Sequence, residues 1–509
     1  MTSSKPTPRP RQQRVLQACS ACKRRKVRCT GQQPCSQCDR LSIQCVYVGP
    51  EVLAVGRSRL GVANRGAIIT ESRAQSSNDE LSLSHSQAQA QAQAISSPSV
   101  SSTASRATAP VDVSRYGPVF MYSLVSDYMA KLYPICPVLD ETDLRVQIDM
   151  MYTDNDAATL VYAFAALALL LMQVSETGRE SGCYSQCAEL LALSLQHYKP
   201  LDFDSKPNLT RIIGCLFLEM GLLSVDRKDL SFFYLHQAIS LMLMHGLDYF
   251  LGEITIDPVE RARRERVYWV CFIHERHQAI EGSNMICLEP LPSLPDVAFL
   301  ASDSVGRGWN HIIQTFLVID RDFVRFWKGD RSSLTAEWIQ TKHQQFTDPS
   351  WELEVSTLAP TQQADLIITR QWLRTLLWQM AMSKVLLSSA AGPSEGLSLS
   401  MPLRLSSQLK ACFDRVSSRS VAIDVIGLIS KLFEITNTIA DVLVALPLGD
   451  SVEEKRSRIQ DFLFAKNFLF DLPHVKPIYR DILEDKVRQI RHSYSDSRWD
   501  DLFFEINLN

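Results

Sequence analysis

Residues 19–45, CSACKRRKVRCTGQQPCSQCDRLSIQC, decide how the rest of the chain is interpreted. The spacing of the cysteines is Cys-x2-Cys-x6-Cys-x5-Cys-x2-Cys-x6-Cys, so one half-unit occurs twice. A Cys-x2-Cys pair with a third cysteine at a fixed distance is typical of metal ligands. The six predicted ligands are Cys19, Cys22, Cys29, Cys35, Cys38 and Cys45.

Other uses of these cysteines are disfavoured. A disulfide framework needs an oxidising compartment, and the first residues, MTSSKPTPRPRQQR, contain no apolar signal segment. A thioredoxin-like Cys-x-x-Cys needs a βαβ context, which the sequence does not indicate. We therefore expect metal binding in a reducing, intracellular location.

Six thiolates can give two zinc ions four ligands each only if two sulfurs bridge the ions. The sequence thus predicts a cofactor of two Zn²⁺ ions. A module of 27 residues buries too little surface to fold unaided, so the metal supplies its folding energy. We expect one short helix in each half, over 20–26 and 36–41.

Basic residues follow the second cysteine and indicate a polyanionic partner. Lys23, Arg24, Arg25, Lys26 and Arg28 stabilise the thiolates and form a cationic face. The end of a metal-fixed helix can enter a DNA major groove, where Arg or Lys reads guanine and other charges contact phosphates. A nuclear localisation signal alone would be the simpler interpretation of such a run.

Charge is distributed unevenly along the 509 residues. The net charge of −3 combines +9 in residues 1–50 with −12 in the remainder. Only the basic N-terminal region therefore suits a polyanion. The longest apolar run, residues 160–172, is too short to cross a bilayer, so no membrane partner is expected.

Composition divides the chain into five predicted segments. Residues 1–18 are a disordered basic N-terminus, 19–45 the metal module, and 46–115 a low-complexity linker containing QAQAQAQA. Residues 116–492 form a large all-α domain, and 493–509 an acidic and aromatic tail. The tail is either an activation segment that docks on a coactivator or a terminal helix packed on the domain.

Helical periodicity recurs throughout the large domain. The predicted helices cover residues 120–133, 160–174, 208–224, 230–245, 261–280, 309–327, 361–388, 406–415 and 421–446. Seven further cysteines are scattered among apolar residues and are expected to be buried. No sustained heptad repeat follows Cys45, so a homodimer remains one possibility among the oligomeric states.

The six-cysteine module resembles the fungal binuclear zinc cluster transcription factors, and all six cysteines have the family spacing. The resemblance implies that Cys19 and Cys35 bridge the zinc ions. Cys22 and Cys29 would complete one ion, and Cys38 and Cys45 the other. It further implies that Lys26 and Arg25 approach a CGG triplet, while Lys23 and Gln17 contact phosphate.

The large domain also resembles the regulatory middle region of that family. Residues 128–137 (YMAKLYPICP) are similar to its opening helix and proline pair, and 235–247 (LHQAISLMLMHGL) and 266–269 (RVYW) to its helical signatures. A departure occurs at Gly282-Ser283-Asn284, where the family commonly has an arginine after the glycine.

The sequence therefore predicts a small two-helix zinc cluster module joined by a disordered linker to a large all-α regulatory domain. We interpret the protein as a nuclear transcription regulator that binds double-stranded DNA and coactivators. The resemblance to the family suggests that it is an activator. It would control a biosynthetic gene cluster or nutrient use.

Two other classes of protein fit the sequence less well. An enzyme with an accessory zinc module lacks a catalytic constellation: in HERHQ, residues 274–278, the second histidine of H-E-x-x-H is displaced by one residue. An RNA-binding or redox-sensing zinc protein is disfavoured because no aromatics interleave with the basic run. A small-molecule pocket inside the helical domain is compatible with the sequence.

Overall fold

The structure is a computed structural model of the chain. It describes residues 19, 29–30, 32, 34–39, 45, 113–172, 180–244, 257–282, 286–300, 302–348, 350–384, 386–387, 395–415, 427–445, 451–472 and 475–493. The chain divides into two units, Met1–Ile68 and Ile69–Asn509.

Helices account for the regular structure of the described residues, among which no β-strand occurs. In the first unit, α1 is Ser36–Asp39. The helices of the second unit are α2 (Pro118–Ser123), α3 (Val125–Lys131), α4 (Glu141–Met150), α5 (Asn155–Met172), α6 (Glu180–His197), α7 (Leu209–Ser224), α8 (Lys228–Met244), α9 (Pro258–Glu281), α10 (Asp303–Leu317), α11 (Arg321–Trp327), α12 (Ala336–Gln344), α13 (Trp351–Ser356), α14 (Pro360–Ser383), α15 (Met401–Arg415), α16 (Leu428–Ala445), α17 (Val452–Asp471) and α18 (Pro477–Ser493). The prediction of an all-α second unit is confirmed.

Two apolar helices, α5 and α7, organise the N-terminal half of this unit. α5 carries the longest apolar run of the sequence and packs against α4, α6 and α7, and α8 packs against α7. Residues 157–168 of α5 are all buried, which explains why apolar side chains occupy every face of the helix.

α14 and α16 form the centre of the C-terminal half. α14 packs against α10, α15 and α16, while α16 also contacts α17 and α18. The buried side chains of both halves belong to one continuous hydrophobic core. Helices from the two ends of this unit therefore share an interior.

Side-chain caps fix several helix starts. The Asn208 side chain accepts a hydrogen bond from the Arg211 N–H at 2.7 Å, so α7 begins one residue after the capping asparagine. Ser451 caps α17 in the same way, accepting from the Glu454 N–H at 3.0 Å. These caps satisfy amides that have no partner within the helix.

Two predicted helices are each divided in the structure. The stretch 309–327 is α10 and α11, because Asp320 is extended and accepts a hydrogen bond from the Phe323 N–H at 2.8 Å. This local cap starts a new helix instead of continuing the old one. The stretch 120–133 is α2 and α3, which meet at Leu124, whose N–H bonds to the helix that precedes it.

Two buried arginines of α9 connect segments that are distant in sequence. Arg266 Nε donates to the Pro137 carbonyl at 2.7 Å, and thereby joins RVYW to the end of YMAKLYPICP. Arg276 donates to the Leu288 carbonyl at 2.6 Å and to Glu275 at 2.8 Å. The segments that resemble the family's regulatory region are thus linked by charge-assisted hydrogen bonds.

Buried cysteines are confirmed at Cys136, Cys187, Cys215 and Cys271. The expectation is wrong for Cys287, which is exposed beside Glu275, and Cys412 is only partly buried. The prediction for Cys287 relied on its apolar neighbours in sequence, but this residue lies in the segment after α9. No helix of the described residues is both long and apolar enough to span a membrane.

Candidate metal centre

Four cysteine sulfurs come together in the first unit. The Sγ atoms of Cys19, Cys35, Cys38 and Cys45 all lie within 4.8 Å of one another. The first three residues are completely buried and Cys45 is partly buried. The sequence predicted all four as metal ligands, and the fold assembles them from positions 26 residues apart.

The separations of these sulfurs fit a tetrahedral zinc site. Cys19 Sγ is 3.8 Å from Cys35 Sγ and 3.6 Å from Cys38 Sγ. Four sulfurs at the usual Zn–S distance of about 2.3 Å form a tetrahedron whose edges are about 3.8 Å. A disulfide would need a sulfur–sulfur distance of about 2.05 Å. The spacing therefore matches ligands that share one ion.

Backbone contacts hold the cysteines of the second half-unit in place. α1 starts after Cys35, whose carbonyl accepts from the Cys38 and Asp39 N–H groups, both at 2.9 Å. The Cys35 N–H itself donates to Cys45 Sγ at 3.2 Å. Such an N–H···S contact favours a thiolate at Cys45.

Thr30 stabilises the same turn, since its hydroxyl accepts a hydrogen bond from the Ser36 N–H at 3.0 Å. The helix predicted over 36–41 is present over Ser36–Asp39. The helix predicted over 20–26 falls outside the described residues.

The chemistry of this donor set suits a cation. Burial raises the pKa of the Cys38 thiol, and contacts with the Cys35 and Cys19 thiols raise it further. Four thiolates at these distances would repel one another strongly without a positive ion between them. Zinc coordinates thiolates, and metal binding releases their protons. The four residues thus fit a zinc ion.

Cys29 is also buried and belongs to the same small core as Cys19, Cys35 and Cys38. Cys22 lies outside the described residues, as do the predicted DNA-contacting residues. Those residues are Gln17, Lys23, Arg24, Arg25, Lys26 and Arg28.

Residues 17–51 match the family described as the fungal Zn(2)-Cys(6) binuclear cluster domain. The N-terminal module is a fungal Zn(2)-Cys(6) binuclear cluster domain. This assignment confirms two zinc ions as the cofactor, and the sulfur geometry agrees with it. The cluster domain identifies the protein as a DNA-binding transcription regulator.

Similarity to curated proteins extends well beyond the cluster. The chain is 24% identical over 373 residues to the maltose fermentation regulatory protein MAL13 of Saccharomyces cerevisiae, covering 72% of this chain and 71% of that protein. It is 24% identical over 331 residues to the probable sucrose utilization protein SUC1 of Candida albicans, covering 62% of each. The maltose fermentation regulatory protein MAL33 of S. cerevisiae is 22% identical over 371 residues, covering 72% of each.

The names of these relatives distinguish a regulator from an enzyme. Two of the relatives are regulatory proteins by name, and none is described as an enzyme. Together with the cluster domain, they confirm a transcription regulator and not an enzyme with a zinc accessory.

In the structure, the two histidines of HERHQ contact different carboxylates. His274 Nδ1 lies 2.7 Å from Glu219, and His277 Nε2 lies 3.7 Å from Glu281.

Proposed function

We propose that this protein is a nuclear activator of genes for sugar utilisation, which it recognises through CGG triplets. The sulfur cluster of the N-terminal module carries the DNA-binding part of the proposal, because a Zn(2)-Cys(6) domain presents a metal-fixed basic helix. The relatives named for maltose fermentation and sucrose utilization favour nutrient use over a biosynthetic gene cluster.

The proposed ligand sets follow from the four-sulfur group. Cys19, Cys35, Cys38 and Cys45 are the set expected for one ion if Cys19 and Cys35 bridge. Cys22 and Cys29 would then complete the second ion.

The proposed DNA contacts divide into base reading and phosphate contacts. Lys26, three residues before Cys29, and Arg25 would read the CGG triplet, whereas Lys23 and Gln17 would contact phosphates. The remaining cationic residues, Arg24 and Arg28, add affinity without specificity.

The test compares two lysines of the same basic run by gel shift with CGG and scrambled duplexes. Lys26→Ala should weaken CGG binding by about 1–3 kcal/mol and relax the preference for the triplet. Lys23→Ala should weaken binding to both duplexes alike and reduce the salt dependence. An equal loss of discrimination in both variants would contradict the assignment.

Target genes are tested separately, by sequencing genomic fragments that the purified protein retains. Enrichment of CGG-containing sites near sugar transporter and glycosidase genes is expected. Enrichment near a biosynthetic cluster instead would replace the proposed pathway while leaving the DNA-binding assignment intact.

We also propose a role for each segment of the chain. Residues 1–18 and 46–115 would be disordered, 116–492 would regulate, and 493–509 would bind a coactivator. Deleting 493–509 should lower reporter output at equal protein level, and unchanged output would remove the tail's role.

A homodimer would appear as two chains on a paired CGG site in mass photometry.

A further inference from the structure

A cavity lies inside the second unit, where the two halves of the helical domain meet. Its interior volume is about 70 Å³, and the cavity opens towards solvent. Residues of α5, α7 and α9 line one side, and residues of α10, α14 and α16 line the other. An occupant would therefore contact both halves of the domain at once.

The lining is mainly apolar. Twelve of the seventeen lining side chains are apolar, among them Met220, Ile312 and Phe316. The polar minority consists of Ser224, His274, His277, Asp365 and Lys431. A ligand that fills this space would gain most of its affinity from burying apolar surface.

The charges at the cavity wall are already balanced within the protein. Lys431 and Asp365 are both more than nine-tenths buried, and Lys431 Nζ lies 3.5 Å from Asp365 Oδ1. Lys431 also donates to the Thr369 hydroxyl at 2.7 Å. An additional buried charge would have no counter-ion here and would be costly. The wall therefore favours an uncharged occupant.

One buried donor at the wall lacks an acceptor. Trp309 is 1% exposed and lines the cavity, and its Nε1–H has no hydrogen-bond partner among the described residues. Buried N–H groups are rarely left unpaired in native proteins. The Trp309 N–H is suited to an oxygen of a ligand.

We propose that this cavity binds an uncharged, mainly apolar small molecule whose oxygen accepts a hydrogen bond from Trp309. A disaccharide does not fit this description, although relatives of the chain are named for maltose and sucrose. Most of its hydroxyls would be buried against aliphatic side chains without partners, and each such group costs free energy.

The ligand would act on transcription by stabilising the packing of one half of the domain on the other. That consequence rests on the proposed function, whereas binding itself does not. A binding assay on the full chain therefore distinguishes a failure of this inference from a failure of the DNA-binding assignment.

The probe is prodan, a neutral naphthalene with a ketone oxygen whose emission shifts to the blue in apolar sites. We expect one prodan to bind per full-length chain. Neutral 2-acetylnaphthalene should displace it at a concentration at least tenfold below that required for the anion 2-naphthoate. Maltose should not displace it. Absence of binding, equal competition by the two naphthalenes, or displacement by maltose would each overturn the proposal.

Two tryptophans provide a matched pair of variants. Trp309→Phe removes the N–H that faces no protein acceptor and should weaken prodan binding about fivefold, the usual effect of one hydrogen bond. Trp269→Phe is the control, because Trp269 is equally buried and its Nε1–H is also unpaired among the described residues, but it does not line the cavity. Equal affinities for the two variants would overturn the assignment.

Val270→Phe provides a test by volume, since Val270 lines the cavity and a phenyl ring would occupy part of it. It should weaken prodan binding at least tenfold while the near-ultraviolet circular dichroism spectrum is retained. Retained affinity in a folded variant would place the probe elsewhere. If this variant does not fold, the tryptophan pair decides the question.

Discussion

Cys35 contacts two cysteines of the cluster that are distant from it in sequence. Its sulfur is 3.8 Å from that of Cys19, and its own N–H donates to Cys45. In the proposed ligand assignment, Cys35 bridges and coordinates both zinc ions, whereas Cys38 coordinates one. Single residues of the cluster therefore differ in their effect on zinc content.

In the proposed ligand assignment Cys35 bridges the two zinc ions, so Cys35→Ser should release both of them. Cys38→Ser should remove one ion and is the matched control within the same half-unit. Native mass spectrometry of the full chain measures the zinc content. Retention of one zinc at full occupancy in Cys35→Ser would contradict its bridging role.

His277 should make the stability of the second unit depend on pH. Its pKa is lowered to about 4, mainly by burial, with the opposing effect of Glu281 partly offset by the positive Lys431 nearby. The unfolded chain, with a histidine pKa of about 6.5, binds the proton more readily. Stability contributed by neutral His277 is thus complete above pH 6.5 and is lost as the pH falls towards 4.

The expected loss is about 2 kcal/mol in the free energy of unfolding between pH 7 and pH 5. His277→Gln should reduce this loss, because glutamine stays neutral in both states. Urea unfolding followed by tryptophan fluorescence measures it, since all eight tryptophans lie between residues 269 and 499. The same pH dependence in the variant would assign the effect to other groups.

The cluster ligands could be predicted from sequence because all six fall within 27 residues at a doubled spacing. The Asp365–Lys431 pair could not, because 66 residues separate its members. Only the fold brings such a pair together. The sequence is compatible with a small-molecule pocket but does not indicate where it lies.

At the scale of helices, apolar periodicity located α5, α7, α8, α9, α14 and α16 well. Sequence analysis did not identify α4, α12, α17 and α18, whose sequences are rich in charged and polar residues. The first turn of α17, for example, contains Glu453 and Glu454. Charged side chains among the apolar ones obscure the helical pattern in these sequences.

Two buried helical glycines differ in what surrounds them. A Cβ at Gly308 in α10 would lie 2.3 Å from the Gln362 side chain, which donates to the Pro134 and Val305 carbonyls. A Cβ at Gly214 in α7 would meet only ordinary contacts at 3.5 Å. The Gln362 amide therefore occupies the space that a side chain at position 308 would need.

Gly308→Ala should lower the free energy of unfolding by about 1–3 kcal/mol, because displacing Gln362 breaks buried hydrogen bonds. Gly214→Ala is the control and should be neutral or stabilise by up to about 1 kcal/mol through its helix propensity. Thermal and urea unfolding of both variants measure the difference. Equal stability of the two would show that Gln362 can relocate at little cost.

For the whole molecule, the two units depend on different sources of folding energy. The zinc cluster has a core of a few cysteines, whereas the second unit has an extensive apolar interior. Sequence composition predicted this division, since a basic cysteine-rich region precedes a long apolar and acidic one. The placement of α16 beside α10 and α14 was not predictable, because it arises from tertiary packing.

Removing zinc with 1,10-phenanthroline should abolish binding to a CGG duplex, since the cluster cannot fold without metal. The thermal transition reported by tryptophan fluorescence should not change, because every tryptophan belongs to the second unit. Added zinc should restore DNA binding. A lowered transition temperature after chelation would show that zinc also stabilises the second unit.

The position of α16 in the wall of the cavity has a consequence for synthesis of the protein. Ribosomes deliver the chain from its N-terminus at about 5–20 residues per second, and helices α5, α7 and α9 emerge long before Lys431. Asp365 therefore leaves the ribosome several seconds before its counter-ion. The Asp365–Lys431 pair, and with it the α16 side of the cavity, can form only after most of the chain has been made.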